Sequence, residues 1–508
     1  MRTPQTQIEV TCPSNGEVVG SVPIATSEDV AAAVQRARAA QVEWAARSLQ
    51  ERCDVLRQVK GRIIARTDEI CELLSKEQGK PRVEGLTTEI VSLVDLIQYF
   101  TGEAERILAP QPIPLHLMKH RASYLHWVPR GVVGVIGPWN FPFNLNNAPA
   151  AAALIAGNAV VIKPSEFTPL IQELSREIFI EGGIPEDLYQ VVHGYGETGA
   201  AVIAHVDKIE FTGSVSTGKK VAAACGERLI PCVTELGGKA PFLVLEDADL
   251  DRAANALTWG GYANCGQVCA SVERVLVHKS VLPGLLDRLV PKVTALTPAD
   301  TTQDEQAQIG PLNNARQRDI VDSLVQDAID KGARAIVGGA PIDRPGNFYA
   351  PTLLVDVTTD MRIMTEETFG PVLPIMALDT EEEMIAEANR SHLGLLAYVF
   401  SKSTARARSV AERIQAGTVM VNDVMSTHGM PETPWGGVKE SGVGHTHGDA
   451  SLRGMCEQRH INYDLLPSLK TEPYWYPYSP KLFGLMKRLM GTLFGSSLTQ
   501  KLRALTGR

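Results

Sequence analysis

The chain has 508 residues, which is longer than a single hydrophobic core usually serves, so two or three domains are expected. Hydrophobic residues make up 44% and charged residues 21%, a balance that is typical of a soluble globular enzyme and argues against a disordered chain. The formal net charge of −9 gives no indication of a nucleic-acid partner.

No targeting or metal-binding signal stands out. Residues 1–10 lack the apolar core of a signal peptide, and no run reaches the roughly 18 apolar residues that span a bilayer. Eight cysteines in a chain of this length favour a reducing compartment over a disulfide framework. Cys265 and Cys269 are spaced as CxxxC, but no second pair of ligands lies nearby to complete a zinc site. A cytoplasmic protein without a bound metal is expected.

The first part of the chain is predicted to be helical, and the part that follows to alternate strands with helices. Ser27-Glu-Asp supplies an N-cap and an acidic first turn for helices over 27–108. Short apolar strands are expected at 131–136, 159–162, 188–192, 208–212, 242–245 and 274–278, with helices at 169–181, 197–205, 281–296 and 314–331. This alternation predicts an α/β fold with parallel sheets, in two domains that divide near Gly237.

Three segments carry residue types that suit catalysis at a carbonyl carbon. Cys269 follows a Gly-Gln turn and can present a reactive thiolate, although a lone cysteine is more often a buried structural residue. Glu235 precedes paired glycines and can act as a general base, although such an acid is often only part of a loop. Asn140 lies between two prolines and can donate to an oxyanion; a plain Pro-rich turn is the alternative.

Together with four further motifs, these segments resemble the aldehyde dehydrogenase superfamily from about residue 8 to residue 465. The spacing between the glutamate and the cysteine also suits that family. The seven motifs follow the family's order: Pro138-Trp-Asn-Phe-Pro142, Lys163-Pro-Ser-Glu166, Phe211-Thr-Gly-Ser-Val-Ser-Thr-Gly218, Glu235-Leu-Gly-Gly-Lys239, Gly266-Gln-Val-Cys269, Glu367-Thr-Phe-Gly-Pro-Val372 and Pro434-Trp-Gly-Gly-Val-Lys-Glu-Ser-Gly442.

The resemblance implies oxidation of an aldehyde to a carboxylate through a covalent thioester on Cys269. In that chemistry the thiolate attacks the aldehyde carbon. The Asn140 amide and the Cys269 backbone N–H hold the oxyanion, each donor typically worth ~3 kcal/mol. Hydride then leaves for the nicotinamide, and Glu235 activates the water that hydrolyses the thioester.

The resemblance also implies a nicotinamide cofactor. NAD is expected over NADP, because a carboxylate at Glu166 would repel a 2′-phosphate. His193-Gly-Tyr-Gly-Glu-Thr-Gly199 matches GxGxxG between a strand and a helix. In similar enzymes, however, this loop lies beside the adenine, and the pyrophosphate meets the helix that opens at Gly213 and Ser214.

The ribose contacts are carried over in the same way. Lys163 and Glu166 are expected at the adenosine ribose, and Glu367 and Phe369 at the nicotinamide ribose. The expected cofactor-binding residues are Gly137, Pro138, Trp139, Lys163, Ser165, Glu166, Gly194, Gly196, Phe211, Gly213, Ser214, Leu236, Glu367 and Phe369.

The family's architecture implies three structural parts before the C-terminal tail. A Rossmann-like cofactor domain is expected at 1–112 and 129–237, and a second α/β catalytic domain at 238–440. A small β element, 113–128 and 453–466, resembles the strands through which such enzymes pair as homodimers or homotetramers.

The sequence gives mixed indications of the aldehyde. Residues 421–435 and the tail resemble the branch that acts on fatty and aromatic aldehydes, whereas 270–274 are closer to semialdehyde-type members. No arginine lies in the expected tunnel segments to bind a distal carboxylate. This favours a hydrophobic aldehyde, medium- or long-chain or aromatic, over succinate semialdehyde. The expected tunnel residues are Phe143, Leu145, Val268, Met430 and Trp435.

Cys265 is unusual so close to the nucleophile. A packing role is expected, because nothing basic adjoins its thiol to lower the pKa. A disulfide with Cys269, which would switch off activity under oxidation, remains the alternative.

The C-terminal tail, residues 473–508, contains no Asp or Glu and combines basic residues with apolar ones at helical spacing. Such a helix can lie on an anionic membrane surface; packing over the enzyme's own tunnel mouth or on a partner subunit is expected equally. The basic residues are Lys481, Lys487, Arg488, Lys501, Arg503 and Arg508, and the apolar ones are Leu482, Leu485, Met486, Leu489, Met490, Leu493 and Phe494.

Two other functions fit parts of the pattern. A CoA-acylating dehydrogenase of the same fold is disfavoured, because Glu235 lies in a hydrolytic motif. A catalytically inert binding homologue is disfavoured, because Cys269, Glu235 and Asn140 are all present.

Overall fold

A computed structural model describes residues 6–466, 468, 470–472 and 474–506. The described residues form two compact units, one within Met1–Ala109 and Trp127–Glu457 and the other within Pro110–His126 and Gln458–Arg508. Pro473, where the predicted tail begins, and Gly507 and Arg508 at its end lie outside the described residues.

Helices account for most of the described chain before residue 109 and recur between the later strands. The predicted N-cap of the first helix was one residue late: the side chain of Thr26 accepts from the Asp29 N–H, and the Asp29 carboxylate accepts from the Thr26 N–H in return. The helices are α1 (Ser27–Ala46), α2 (Leu49–Ala65), α3 (Thr67–Gln78), α4 (Arg82–Glu84), α5 (Val91–Leu108), α6 (Asn144–Ile155), α7 (Leu170–Glu181), α8 (Gly196–His205), α9 (Val215–Arg228), α10 (Leu250–Tyr262), α11 (Leu282–Thr294), α12 (Ala315–Asp330), α13 (Glu381–Asn389), α14 (Thr404–Ala411), α15 (Gly448–Gly454), α16 (Pro480–Phe494) and α17 (Leu498–Thr506).

The strands are short, and many consist largely of Val, Ile, Leu and Ala. They are β1 (Gln7–Thr11), β2 (Val18–Pro23), β3 (Gln111–Pro112), β4 (Arg121–Pro129), β5 (Val132–Ile136), β6 (Ala159–Lys163), β7 (Tyr189–Val191), β8 (Lys208–Thr212), β9 (Cys232–Glu235), β10 (Ala240–Val244), β11 (Val272–His278), β12 (Arg334–Val337), β13 (Thr352–Val355), β14 (Val372–Leu378), β15 (Leu393–Gly394), β16 (Leu396–Phe400), β17 (Thr418–Val421), β18 (Val438–Lys439), β19 (Gly442–Val443) and β20 (Cys456–Asp464).

The first large sheet has the order β19-β9-β8-β5-β6-β7, and β5 to β9 run parallel. Every residue of β5 and β6 is buried, which explains why both strands are continuous apolar runs and not alternating ones. β19 joins antiparallel to β9, so the chain returns to this sheet after crossing the second one.

The second large sheet has the order β12-β13-β14-β11-β10-β16-β17 and is parallel except for β12 at its edge. The hydrophobic core of the first sheet ends along the chain at Leu236, apart from three residues near 455, and the core of the second begins at Ala240. The predicted boundary at Gly237 falls between them. The two sheets with their helices confirm the predicted α/β fold class.

The smaller unit contains a three-stranded sheet, β20-β4-β3, and the helices α16 and α17. The rings of Tyr124 and Tyr463 stack across β4 and β20 with centroids 6.1 Å apart. The predicted pairing strands were too long. Residues 116–120 bend and turn before β4 begins, and residues 453–454 are the end of α15. The charges of α15 suit the helix dipole, with Asp449 near its N-terminus and Arg453 near its C-terminus.

Candidate active site

The predicted cofactor residues, apart from Glu367 and Phe369, lie at or near one edge of the first sheet. The parallel strands β5 to β9 all end at this edge, and the carboxyl edge of such a sheet is where ligands bind in doubly wound folds. Gly137 follows β5, Lys163 ends β6, Gly194 follows β7, Gly213 follows β8 and Leu236 follows β9.

Two glycines at this edge pack so closely against neighbouring side chains that no Cβ would fit. A Cβ on Gly137 would lie 1.5 Å from Asn146 Oδ1, and one on Gly194, whose φ is +151°, would lie 1.9 Å from Thr198 Oγ1. Ser214 is the N-cap of α9 and accepts from the Thr217 N–H, so the amides of the first turn lie at this edge. Such an edge fits a dinucleotide, since the helix N-terminus that lies there favours an anion such as a pyrophosphate.

Lys163 and Glu166 lie together beyond β6. The ammonium donates to the Pro164 carbonyl at 2.8 Å and lies 3.9 Å from Glu166 Oε2. Burial lowers the pKa of Lys163, while Glu166 is about one-third exposed. A carboxylate that is partly open to solvent beside a buried ammonium can accept from ribose hydroxyls.

The loop with Glu367 and Phe369 is held by residues that the sequence analysis did not single out. Lys239 and Glu273 form a buried ion pair at 2.6 Å, and the Glu273 carboxylate accepts from the N–H groups of Thr368 and Phe369 at 2.8 Å each. Glu367 in turn accepts from the Gly238 N–H at 2.9 Å. Glu273 could be seen in the sequence, because it lies with Arg274 shortly after Cys269. Only the fold shows that its partner is Lys239.

Aromatic residues lie beside this loop as well. Phe369 has a left-handed backbone with φ of 49°, and its ring meets the Trp139 ring edge-on with centroids 5.4 Å apart. A non-glycine residue in this region carries strain that its surroundings must hold, and such strain concentrates at functional sites. Trp139 and Phe369 come from the two sheets' domains, so both domains supply this part of the site.

Cys269 follows a loop with three consecutive left-handed residues, Asn264 (φ 51°), Cys265 (φ 58°) and Gly266 (φ 72°). A Cβ on Gly266 would lie 2.1 Å from the Gly370 carbonyl oxygen, so only glycine fits there. The Asn264 side chain bonds to Gln78 at 3.0 Å and to two backbone carbonyls. These bonds fix the path of the chain into the nucleophile.

Asn140 is held against this loop. Its Nδ2 donates to the Gln267 carbonyl at 3.0 Å, which uses one of its two N–H groups. Its backbone carbonyl accepts from the ammonium of Lys80, whose buried ion pair with Glu89 measures 2.8 Å. The Lys80–Glu89 pair was not predicted, because its partners are identified only by the fold. The Asn140 amide is thus bonded to the backbone of Gln267, two residues before Cys269 in the chain. Its second N–H remains available to donate to a ligand.

Cys269 and Glu235 line one cavity of about 40 Å³. Neither carboxylate oxygen of Glu235 has a hydrogen-bond partner among the described groups. Burial, followed by the negative charge of Glu210, raises the pKa of Glu235 well above its ordinary value. Burial raises the pKa of the Cys269 thiol to about 12, with smaller contributions from Glu235 and Glu367. The thiol is therefore protonated at rest, next to a carboxyl whose affinity for a proton is raised.

Cys269 also lines a second cavity, of about 240 Å³. Three of the predicted tunnel residues, Leu145, Val268 and Trp435, line it. Phe143 and Met430 do not line either cavity in the described part of the chain. Phe143 immediately precedes α6 and is fully buried in the core of the first domain; Met430 follows a turn and is 41% exposed. The cavity is also lined by Glu84, Thr87, Thr88, Ser92, Phe141, Trp259, Ala263, Asn264, Ala270, Met425, Ser426, His428 and Gly429.

His428 lines both cavities and was not singled out from the sequence. Its ring lies edge-on to Trp435, with centroids 4.9 Å apart, and 4.7 Å from the ring of His447. Burial lowers the pKa of His428 to about 4, so it is neutral near pH 7. It contributes a flat, uncharged wall between the two cavities.

Cys265 is buried in the core of the second domain, and its thiol and that of Cys269 are both free. Burial raises the pKa of the Cys265 thiol. A thiol held in its protonated form is a poor partner for disulfide exchange, which favours the packing role.

Comparisons with known proteins agree with this arrangement. A model of the "Aldehyde dehydrogenase family" matches residues 1–461. A protein of Methylomonas sp. named 4,4'-diapolycopene aldehyde oxidase is 36% identical over 495 residues, which cover 96% of this chain and 92% of that protein. The NAD-dependent aldehyde dehydrogenase of Sinorhizobium meliloti has a TM-score of 0.88 and 36% identity, covering 92% of this chain and 93% of its own. An NADP-dependent enzyme of E. coli has a TM-score of 0.87 and 33% identity, covering 90% and 95%.

The family match and these relatives bear out the resemblance seen in the seven motifs and support a nicotinamide cofactor. The chain is an aldehyde dehydrogenase and belongs to the aldehyde dehydrogenase family.

Proposed function

We propose that the enzyme oxidises a hydrophobic aldehyde to its carboxylic acid with NAD, through a thioester on Cys269 that is hydrolysed with Glu235 as the general base. One observation carries the proposal. Cys269 lines two cavities: the first is also lined by Glu235, whose carboxylate has no hydrogen-bond partner, and the second is mostly apolar.

The arrangement divides the chemistry among three groups. Cys269 supplies the sulfur that bonds to the aldehyde carbon, and its proton needs an acceptor because the resting thiol is not ionised. The free N–H of Asn140 and the Cys269 backbone N–H are the donors for the oxyanion. Glu235 removes a proton from the water that attacks the thioester. A nicotinamide held beside Glu367 and Phe369 would supply the acceptor for the hydride.

For the cofactor we propose NAD. The supporting observation is the carboxylate of Glu166 beside Lys163, which would accept from ribose hydroxyls and repel a 2′-phosphate. Both NAD- and NADP-dependent relatives exist among the similar structures, so titration of each cofactor against protein fluorescence is the direct test. Binding of NADP as tight as that of NAD would contradict the preference.

For the substrate we propose a medium- or long-chain or aromatic aldehyde. The second cavity is lined by Phe141, Leu145, Trp259, Val268 and Trp435, and none of its lining residues is a lysine or arginine. The hydroxyls of Thr87 and Thr88 there already donate to backbone carbonyls. The similar protein named for 4,4'-diapolycopene aldehyde points to the same class of substrate.

A panel of aldehydes tests this function. It runs from C2 to C16 and includes 4,4'-diapolycopene aldehyde and succinate semialdehyde, each with NAD and without CoA. The proposal expects kcat/KM to rise with apolar chain length and turnover to need no CoA. A preference for succinate semialdehyde would support the semialdehyde alternative, and a strict need for CoA would support the acylating one.

We further propose that the enzyme is a homo-oligomer that pairs through β20. In the smaller unit β20 is an edge strand, and its residues 457–463 are all exposed. An exposed edge of this length offers unpaired backbone groups to another chain. Light scattering at several concentrations distinguishes a dimer or tetramer from the monomer that would contradict this proposal.

The C-terminal helices support a peripheral contact with an anionic membrane. No residue of α16 or α17 is buried, and nine of their large apolar side chains are exposed. The two helices pack on each other where Gly491 meets Ala504. Their charged side chains are all basic, a combination that complements anionic lipid headgroups. Within the described residues, none of the helices combines the length and hydropathy needed for a membrane crossing.

We propose that this helix pair holds a cytoplasmic enzyme against such a membrane. Co-sedimentation with vesicles tests it, using phosphatidylglycerol–phosphatidylcholine vesicles and pure phosphatidylcholine ones. The full chain should sediment with the anionic vesicles only, and less so at high salt. A version ending at Thr471 should remain in solution. Equal partition of both versions would contradict the membrane role and leave a contact with a partner subunit or the tunnel mouth.

A further inference from the structure

A row of polar side chains extends from Glu235 along one face of the first sheet. Lys208, Glu210 and Thr212 alternate along β8 and therefore point to the same face. The register pairs Thr212 with Glu235 on β9, which places Glu235 on that face as well. Glu210 and Glu235 are then diagonal neighbours on adjacent strands, roughly 8 Å apart at Cα.

Lys208 and Glu210 form a buried ion pair in this row. Their side chains are 3% and 6% exposed, and Lys208 Nζ donates to Glu210 Oε1. A buried pair of this kind contributes little to stability compared with apolar residues of the same size. Its position beside the catalytic carboxyl therefore calls for a functional explanation.

One cavity connects Glu210 with the reacting groups. Glu210, Glu235 and Cys269 all line it, together with His447 and Ser451. Both oxygens of Glu235 and Nδ1 of His447 are buried without a hydrogen-bond partner. The cavity's volume of about 40 Å³ is enough for water, which needs roughly 10–15 Å³ and polar partners.

We propose that Glu210, paired with Lys208, accepts the proton that Glu235 removes from the deacylating water, through water held in this cavity. The inference rests on the proposed thioester hydrolysis and adds a positioning role for two residues that act through Glu235. Neither Lys208 nor Glu210 lies within the seven family motifs from which the site was predicted.

The proton is accounted for at each step. The oxygen of the attacking water bonds to the thioester carbon, and its proton passes to Glu235. The C–S bond then breaks, which releases the acid and leaves the Cys269 thiolate. A bridging water transfers the proton from Glu235 to the Glu210 carboxylate, so that Glu235 is again a base. Lys208 keeps its charge throughout, and Glu210 holds the proton until solvent takes it up.

The surroundings of Glu235 give the direction of the pH effect. The other titratable groups facing this cavity are the thiol of Cys269 and the rings of His428 and His447, and burial keeps both imidazoles neutral. Glu210 is then the nearby negative charge that opposes ionisation of Glu235. Removing that charge should let Glu235 lose its proton at lower pH.

The test separates acylation from deacylation with the full chain. Stopped-flow mixing with aldehyde and NAD should give a burst of NADH followed by a slower steady state. In Glu210→Gln the burst amplitude and kcat/KM, which report acylation, should stay unchanged, while the steady-state rate falls at least about tenfold and KM falls with it. The acid limb of the steady-state rate should move down by roughly one pH unit. Glu210→Asp should recover part of the rate.

Controls keep the outcomes distinct. Should Glu210→Gln fold poorly because Lys208 is left unpaired, the pair Glu210→Gln with Lys208→Met removes both charges and should show the same loss. Asp207→Asn, one residue before β8 and bonded to Arg38, should leave both phases unchanged. A steady state and acid limb equal to those of the parent would overturn the inference. A parent chain without covalent acylation of Cys269 would instead overturn the proposed function.

Discussion

The catalytic cavities and the C-terminal helix pair are built on opposite principles. Around Cys269 the polar groups are buried and held by ion pairs, such as Lys80–Glu89 and Lys239–Glu273, whose members come from separate segments. In α16 and α17 no residue is buried, and apolar side chains face outward. The first region is fixed by its own fold, whereas the second lacks a covering surface among the described residues of its own unit. Changes in the first should therefore abolish chemistry, and changes in the second should alter only where the enzyme resides.

The largest effect is expected for Cys269→Ala, because no other group can form the thioester. Turnover should fall by roughly 10⁴-fold or more, with NAD binding unchanged. Cys265→Ala is the matched control: it removes a buried thiol four residues away and should retain activity while losing some stability. Comparable losses of turnover in both variants would show that activity depends on the structure of the loop and not on the Cys269 sulfur.

Asn140→Ala should come next. It removes one of two oxyanion donors, so kcat should fall by about 10²–10³-fold while KM changes little. Steady-state kinetics with one aldehyde suffice to measure this. A kcat within threefold of the parent would mean that groups other than the Asn140 amide stabilise the oxyanion.

Each motif is local in sequence, so the sequence alone could single out Cys269, Glu235 and Asn140. In the structure Cys269 and Glu235 line one cavity, Asn140 bonds to the loop that leads to Cys269, and most of the cofactor candidates lie at one edge of the first sheet. The supporting ion pairs could not be predicted: no sequence motif links Lys80 to Glu89, and the partner of Lys239 is a side chain 34 residues away. The prediction that Phe143 lines the tunnel was wrong for a related reason. Phe141 lines the cavity and Phe143 is buried in the core, but the turn before α6 is irregular, so the sequence has no periodicity there that would distinguish the two.

The pH dependence of deacylation should show a smaller but distinctive effect. Glu235 must be ionised to act as a base, and burial raises its pKa well above its ordinary value. The steady-state rate should therefore fall on the acid side at a pH well above ~4.3, the value for an exposed glutamate. The rate must fall, and not rise, as the pH is lowered, because protonation of Glu235 removes the base. A rate that stays constant down to pH 5 would contradict burial of this carboxyl.

Truncation after Thr471 should have the smallest effect on catalysis. Because α16 and α17 bury no side chains, their removal should change kcat on a short, water-soluble aldehyde by less than about twofold. Some stability should be lost, because the same truncation removes the buried Glu472, which accepts from Arg121. The same version should lose its preference for long-chain aldehydes presented in anionic vesicles. Loss of activity in solution would place the helices in the catalytic region and remove the contrast between the two.

The most direct test is to trap the intermediate. Glu235→Gln keeps the size of the side chain but removes the base, so the thioester should form and persist. After mixing with a long-chain aldehyde and NAD, intact-mass and peptide mass spectrometry should find the acyl group on Cys269 in nearly every molecule. An unmodified Cys269, or an acyl group on another residue, would contradict the account.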